Sequence, residues 1–137
     1  ANSTAARAEI IFGQPACSRA NPSLYVSPVS QWGSISQTLN YTIRITDNDL
    51  NCPATTFTLL SNSNLGWNVI TGSPGIVLLP GQSASANISI IIPLDSDSGH
   101  YEPATLRISN GMVGTAHRTA TARVYANVYV PGENDAG

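Results

Sequence analysis

Strongly reactive side chains are scarce in this chain of 137 residues: two histidines, two cysteines, eight acids and no lysine. Nucleophilic catalysis needs a base held beside a nucleophile. His100 in "SGHYEP" and His117 in "GTAHRT" fit no such motif, and both read as surface loop residues. Two histidines without a Cys-x-x-Cys pair do not make a zinc site. The absence of lysine removes amine nucleophiles and any Lys–Asn cross-link. "DNDLN" (Asp47, Asn48, Asp49, Asn51) and "DSDSG" (Asp95, Asp97) offer the oxygen ligands that Ca²⁺ takes, but neither completes an EF-hand loop. Asp, Asn and Gly also make turns for backbone reasons alone. Both stretches are therefore read as plain turns, at opposite ends of the domain. No metal, cofactor or enzymatic activity is expected.

The other chemistry is covalent or adhesive. Cys17 and Cys52 are an even count in a Thr-rich, Lys-free chain, which points to a disulfide and an oxidising, extracytoplasmic compartment. The alternative is two unpaired buried thiols. Asn2, Asn40 and Asn87 open N-x-Ser/Thr sequons, while Pro22 excludes Asn21. Chance occurrence in a chain rich in Ser, Thr and Asn is the competing explanation. Trp67 reads as a core plug, and Tyr101 as a corner tyrosine bonded back to the chain. Trp32, flanked by Gln31 and Gly33 in a turn, reads as exposed. Tyr125 and Tyr129 fall on the polar row of the last strand. Exposed aromatic faces stack on sugar rings or anchor protein interfaces; for Trp32, a lid over the end of the domain is the equal alternative.

The elements that must carry these residues are strands. Apolar residues alternate in "QTLNYTIRIT" (Leu39, Tyr41, Ile43, Ile45), in "SASANISIII" (Ala84, Ala86, Ile88, Ile90, Ile92) and in "TATARVYANVYV" (Ala120 to Val130). Shorter strands are predicted at Ser23–Ser27, Thr55–Leu60, Trp67–Thr71, Ile76–Leu79 and Tyr101–Ser109, with Gly/Pro/Asn turn signals between them. The pattern predicts an antiparallel sandwich. Asn40 and Asn87 fall on the outward phase of two strands expected to be neighbours. A narrow sandwich offers no cleft in which paired carboxylates converge for sugar hydrolysis.

The order "NPSLYVSPVSQWGSISQTLNYTIRITDND", Cys52, "TFTLLS", "GWNVI", "LLPGQSASANISIIIP", "SGHYEPATLRISN" and a Thr/Ala-rich last strand, over Asn21 to Val130, carries a resemblance. It is similar to the immunoglobulin-like accessory domains beside the catalytic domains of bacterial-type secreted hydrolases (alpha-galactosidase-associated), and to cysteine-bearing versions in gametolysin-like extracellular proteins. The resemblance implies a non-catalytic sandwich of about seven strands, in a family of diverse tasks. Trp32, where a small residue is commoner, and the segment before Cys17 depart from it. Strand alternation brings Cys17 and the loop of Cys52 to one pole, as a disulfide requires.

The resulting expectation is an all-β, immunoglobulin-like antiparallel β-sandwich of about seven strands plus an extra N-terminal strand. Residues 1–16 form an extension with a candidate donor or edge strand, 17–131 the sandwich, and 132–137 a polar tail or linker. Lacking an initiator Met and a signal peptide, the chain reads as a mature product or an excised module. A net charge of -2 gives no basic field for nucleic acid or for an anionic membrane, and no apolar run approaches the ~20 residues of a membrane helix. Charged residues make up 10%, against roughly 25% in an average domain, so Ser, Thr and Asn, with or without glycans, must wet the surface.

"RAEIIFGQPAC" then poses the functional question: with which strand do Ile10, Ile11 and Phe12 pair? They are too apolar for a solvated tail. The last strand, read as Arg118–Val130, should overhang the body. An apolar strand at one end and an overlong strand at the other suit head-to-tail strand complementation. The expected task is that of an extracellular structural or interaction module, assembling with copies of itself or with neighbouring domains into a fibre or array. The alternatives are a carbohydrate-binding accessory module using Trp32, Tyr125 or Tyr129, and a spacer domain whose leading strand closes its own sheet.

Overall fold

The computed structural model describes residues 16–72 and 75–129. Period-2 alternation becomes nine strands: β1 (Ser23–Ser27), β2 (Ser30–Gly33), β3 (Thr38–Thr46), β4 (Thr55–Ser63), β5 (Val69–Thr71), β6 (Gly75–Leu78), β7 (Ser83–Ile91), β8 (Tyr101–Ser109) and β9 (Thr119–Val128). They form two sheets, β1-β3-β7-β5 and β2-β9-β8-β4-β6. All pairings between strands are antiparallel except β2 with β9, which is parallel. The all-β sandwich is therefore the fold. It has more strands than the alternation suggests because both sides are closed by pairs that change sheet, β1 to β2 and β5 to β6.

The core lies between the inner rows. Leu39, Tyr41, Ile43 and Ile45 of β3 and Ile88 and Ile90 of β7 meet Phe57 and Leu59 of β4, Ala104, Leu106 and Ile108 of β8, and Val124, Ala126 and Val128 of β9. Tyr41 is buried, its phenol donates to the Tyr125 carbonyl at 2.7 Å, and burial pushes its pKa up to about 12.

One expectation changes here: Trp32 lies in a strand, β2, and not in a turn. Among the described residues the last strand, β9, is paired by β8 from Thr119↔Ser109 to Asn127↔Tyr101, and Val130, where the expected strand ends, lies outside them. The far end of β9 is held further, with the Val128 N–H bonded to the His100 carbonyl and the Gly99 N–H to the Val128 carbonyl. Among the described residues no helix is long and apolar enough to cross a membrane.

Candidate functional site

Three places gather the chemistry. The first is the pole where β1 begins. Cys17 and Cys52 are bonded, with Cα atoms 4.5 Å apart, and no cysteine is free. Next to them Ser18 and Leu50 exchange backbone hydrogen bonds of 2.9 Å. Arg19 Nη1 lies 2.8 Å from Asp49 Oδ2 and also donates to the Thr55 hydroxyl, while the Ala20 N–H donates to Asp49 Oδ1. Arg118 Nε reaches the Arg19 carbonyl. Asp47 and Asp49 are thus buried, which a surface turn would not require. Arg19, from another part of the chain, supplies the charge that pairs with Asp49.

The two carboxyls move in opposite directions. Burial pushes Asp47 up; the Asp49 N–H bonded to its Oδ1 works against this, and the neighbouring Asp49 charge adds to it. Burial also acts on Asp49, but hydrogen bonds from Ala20, Arg19 and Thr55 and the Arg19 charge hold it below the ordinary carboxylate value. Asp47 Oδ2 is buried without a hydrogen-bond partner, as suits a carboxyl that resists ionising. The turn also uses a left-handed backbone at Asn51 (φ 58), which Asn tolerates better than most residues.

The second place is the opposite pole. His100 is not a free loop residue: its Nε2 lies 2.8 Å from Glu102 Oε1, and its ring sits 5.5 Å from that of the buried Trp67. Glu102 is buried and also accepts the Leu65 N–H. Its carboxylate is occupied in holding the loop before β5 against β8. His117 is exposed and bonded to the Met112 carbonyl. Asp95 and Asp97 are exposed on the loop after β7, at the other end of the sandwich from Asp47 and Asp49. No group of three potential metal ligands occurs among the described residues.

The third place is the outer face of the five-stranded sheet. Register puts Trp32, Asn127 and Tyr101 side by side in one row, and Ser30, Tyr125 and Pro103 in the next. Trp32 is 66% exposed and Tyr101 55%. Tyr101 is thus no corner tyrosine; it stacks on Tyr125 at 4.9 Å, and the buried tyrosine that ties sheet to sheet is Tyr41. Trp32 and Tyr129 face a hollow of about 520 Å³ completed by Gly33, Ser34 and Gln37. A Cβ at Gly33 would stand 2.8 Å from Ile92 Cδ1 and 2.9 Å from Leu39 Cδ2, so a larger residue there would have to displace the ends of these core side chains. Asn127 Nδ2 donates to the Ser30 hydroxyl and so ties β2 to β9.

The sequence anticipated Trp32, Tyr125 and Tyr129 but not that Tyr101 joins them. Register, which alternation alone does not fix, brings it there. Asn40 and Asn87 lie exposed on the other sheet, on adjacent strands, with Ser89 donating to Asn40 Oδ1 at 2.7 Å. Asn2, Ile10, Ile11 and Phe12, and the 132–137 tail, lie outside the described residues.

No family model and no curated protein matches the chain. Among solved structures it is similar to the ASH / PapD-like domain 7 of human CEP192, with a TM-score of 0.56 and 7% identity over 78% of this chain and 85% of that one. That likeness shows the PapD-like, immunoglobulin-like fold. Weaker likenesses are to the CsuC–CsuE chaperone–tip adhesion subunit pre-assembly complex of Acinetobacter baumannii Csu pili (TM-score 0.48, 10% identity, 80% of this chain, 58% of that one) and to the sporulation control protein Spo0M of Bacillus subtilis (0.43, 10%, 82% and 50%).

Proposed function

We propose that the chain is a non-catalytic extracellular interaction module that assembles head to tail, the leading strand of one copy completing a sheet of the next. One observation carries this reading. The Cys17–Cys52 bond, the Ser18/Leu50 bridge and the Arg19–Asp49 pair fasten the root of "RAEIIFGQPA" at one pole. A fixed root at the end of the body, with an apolar segment preceding it in the sequence, supports pairing with a neighbour. Among the described residues β1, β5 and β2, strands of three to five residues, stand at sheet ends, and an end strand is a template for pairing. The disulfide fits an oxidising compartment.

Sedimentation velocity and negative-stain microscopy of the full chain test this. Wild type is expected to form concentration-dependent oligomers or fibres, and a double Ile10→Asp, Phe12→Asp variant to stay monomeric with an unchanged melting temperature. A variant that melts many degrees lower with no change in oligomeric state would mean that the strand belongs to its own sheet.

A second reading, a carbohydrate-binding accessory module of the hydrolase-associated kind that the sequence resembles, is favoured by the hollow beside Trp32 and Tyr129. Oligosaccharide titration read by tryptophan fluorescence, lost in Trp32→Ala, would support it.

A further inference from the structure

The outer face of the five-stranded sheet carries more than aromatic rings. Beyond the stacked pair of Tyr101 and Tyr125, register sets Arg123 beside Thr105 and Asn62, and Arg107 beside Thr121 and Leu60. Both arginines are exposed, and among the described residues neither forms an ion pair or a side-chain hydrogen bond. We propose that this face binds an acidic oligosaccharide, with its rings on Trp32, Tyr101 and Tyr125 and its carboxylates or sulfates on Arg123 and Arg107. The proposal rests on the sugar reading of the Trp32 hollow and names the class of sugar.

The strip is continuous. Asn127 is level with Trp32 and Tyr101, and Thr121 with Arg107. The six residues of β9 between these levels cover about 20 Å at ~3.3 Å per residue, room for several linked sugar rings. Two hollows follow the tyrosines. Asn62, Asn64, Pro103, Thr105 and Arg123 line one of about 350 Å³, and Leu60, Asn62, Thr105 and Arg107 line the next, of about 210 Å³. They share Asn62 and Thr105. An amide and a hydroxyl therefore stand between the two guanidiniums, and both can bond a sugar hydroxyl as donor or acceptor.

Charge decides the class of ligand. The acids among the described residues stand elsewhere. Asp47 and Asp49 are buried at the disulfide pole, Glu102 is buried on the inner row of β8, and Asp95 and Asp97 lie on the loop after β7. The face thus carries two cations without a counter-charge, in a chain whose net charge is -2. Arg123 and Arg107 are diagonal neighbours across the β8–β9 ladder, a relation that sets residues about 7–8 Å apart. That is within the Debye length of ~8 Å at physiological salt, so the two repel each other, and an anion set between them relieves the repulsion. A guanidinium takes a planar carboxylate in two parallel hydrogen bonds. A neutral sugar would use the rings and leave both arginines idle. Single-stranded nucleic acid would stack on the same rings, but its affinity grows with the number of phosphates neutralised, and two cations neutralise few.

Calorimetric titration of the full chain tests this, with three probes of equal length. Oligogalacturonate carries carboxylates, its full methyl ester keeps the rings without the charge, and sulfated dextran oligosaccharide carries sulfate and no carboxylate. Wild type is expected to bind at least one acidic probe about tenfold more tightly than the ester, the gain that two exposed ion pairs supply, and to lose that margin as salt is raised. The tighter of the two acidic probes tells carboxylate from sulfate. A double Arg107→Gln, Arg123→Gln variant is expected to melt as wild type does and to bind the acidic probe no better than the ester. Arg44→Gln, on the opposite sheet, is expected to keep the full margin. Equal affinity for acid and ester, or a margin that survives in the double variant, would overturn the acidic assignment and leave the sugar reading standing. If folded wild type binds none of the three, nor neutral cellohexaose, both fall. A single-stranded oligonucleotide bound more tightly than either acidic sugar would assign the face to nucleic acid instead.

Discussion

Asp47 and Asp49 stand two residues apart in one turn, yet burial raises the first while Arg19, Thr55 and the Ala20 N–H lower the second. Linkage makes this measurable. Asp47 holds its proton more readily folded than unfolded, so its stabilisation is complete below the ordinary carboxyl pKa of about 3.9 and is lost as pH rises through its folded value. Asp49 does the reverse: its stabilisation is present above about 3.9 and is lost as pH falls through its lowered folded value. The melting temperature is therefore expected to rise on acidification from neutral pH towards the ordinary carboxyl range, and to fall on further acidification. Calorimetry across that range on Asp47→Asn should show the neutral-side limb flattened and the acid-side limb kept. A wild type with no neutral-side slope would contradict the assignment. None of this was legible in "DNDLN". An Asp-Asn-Asp run reads as a turn, and the partner that lowers Asp49 is an arginine thirty residues away. Trp67 is buried as the plug reading expects, and Trp32 is exposed although it lies in a strand and not in the expected turn.

Among the elements, the long strands announce themselves, since the alternation in β3 and β7 leaves one face for the core. β2 does not. It is four residues long, follows Pro28 and Val29, and fills its inward position with Gly33, so it carries no apolar signal. Yet β2 presents the exposed Trp32 and ends the sheet among the described residues. The disulfide gives the element-scale prediction. It joins residues 35 apart, and in the chain-entropy model closing such a loop contributes about 3–4 kcal/mol. Reduction is expected to lower the urea midpoint accordingly while leaving the protein folded, since the Ser18/Leu50 bridge and the Arg19–Asp49 pair remain. No shift in midpoint on reduction, or loss of the fold altogether, would refute it. Assembly should weaken on reduction as well, because the root of the leading strand is then less firmly held.

The whole molecule has two unlike outer faces. The β3–β7 face is built of Asn40, Thr42, Ser85, Asn87 and Ser89, short polar side chains in facing rows, with the longer Arg44 among them. The β2–β9–β8 face carries Trp32, Tyr101 and Tyr125. With so few charges in the chain, hydroxyls and amides must keep the first face wet, and two sequons stand on it at adjacent strands. A glycan at Asn40 or Asn87 would extend from the sheet opposite the one that ends in β2. It would add hydration without covering the Trp32 hollow, whereas a glycan on the aromatic face would block it. Protein made in a glycosylating host is therefore expected to carry glycans at both asparagines by peptide mapping, and to bind acidic oligosaccharide to the same extent before and after their enzymatic removal. Unmodified asparagine at both positions would leave the Ser/Thr/Asn surface alone to do the solvation. Binding that appears only after deglycosylation would place the ligand on the polar face instead.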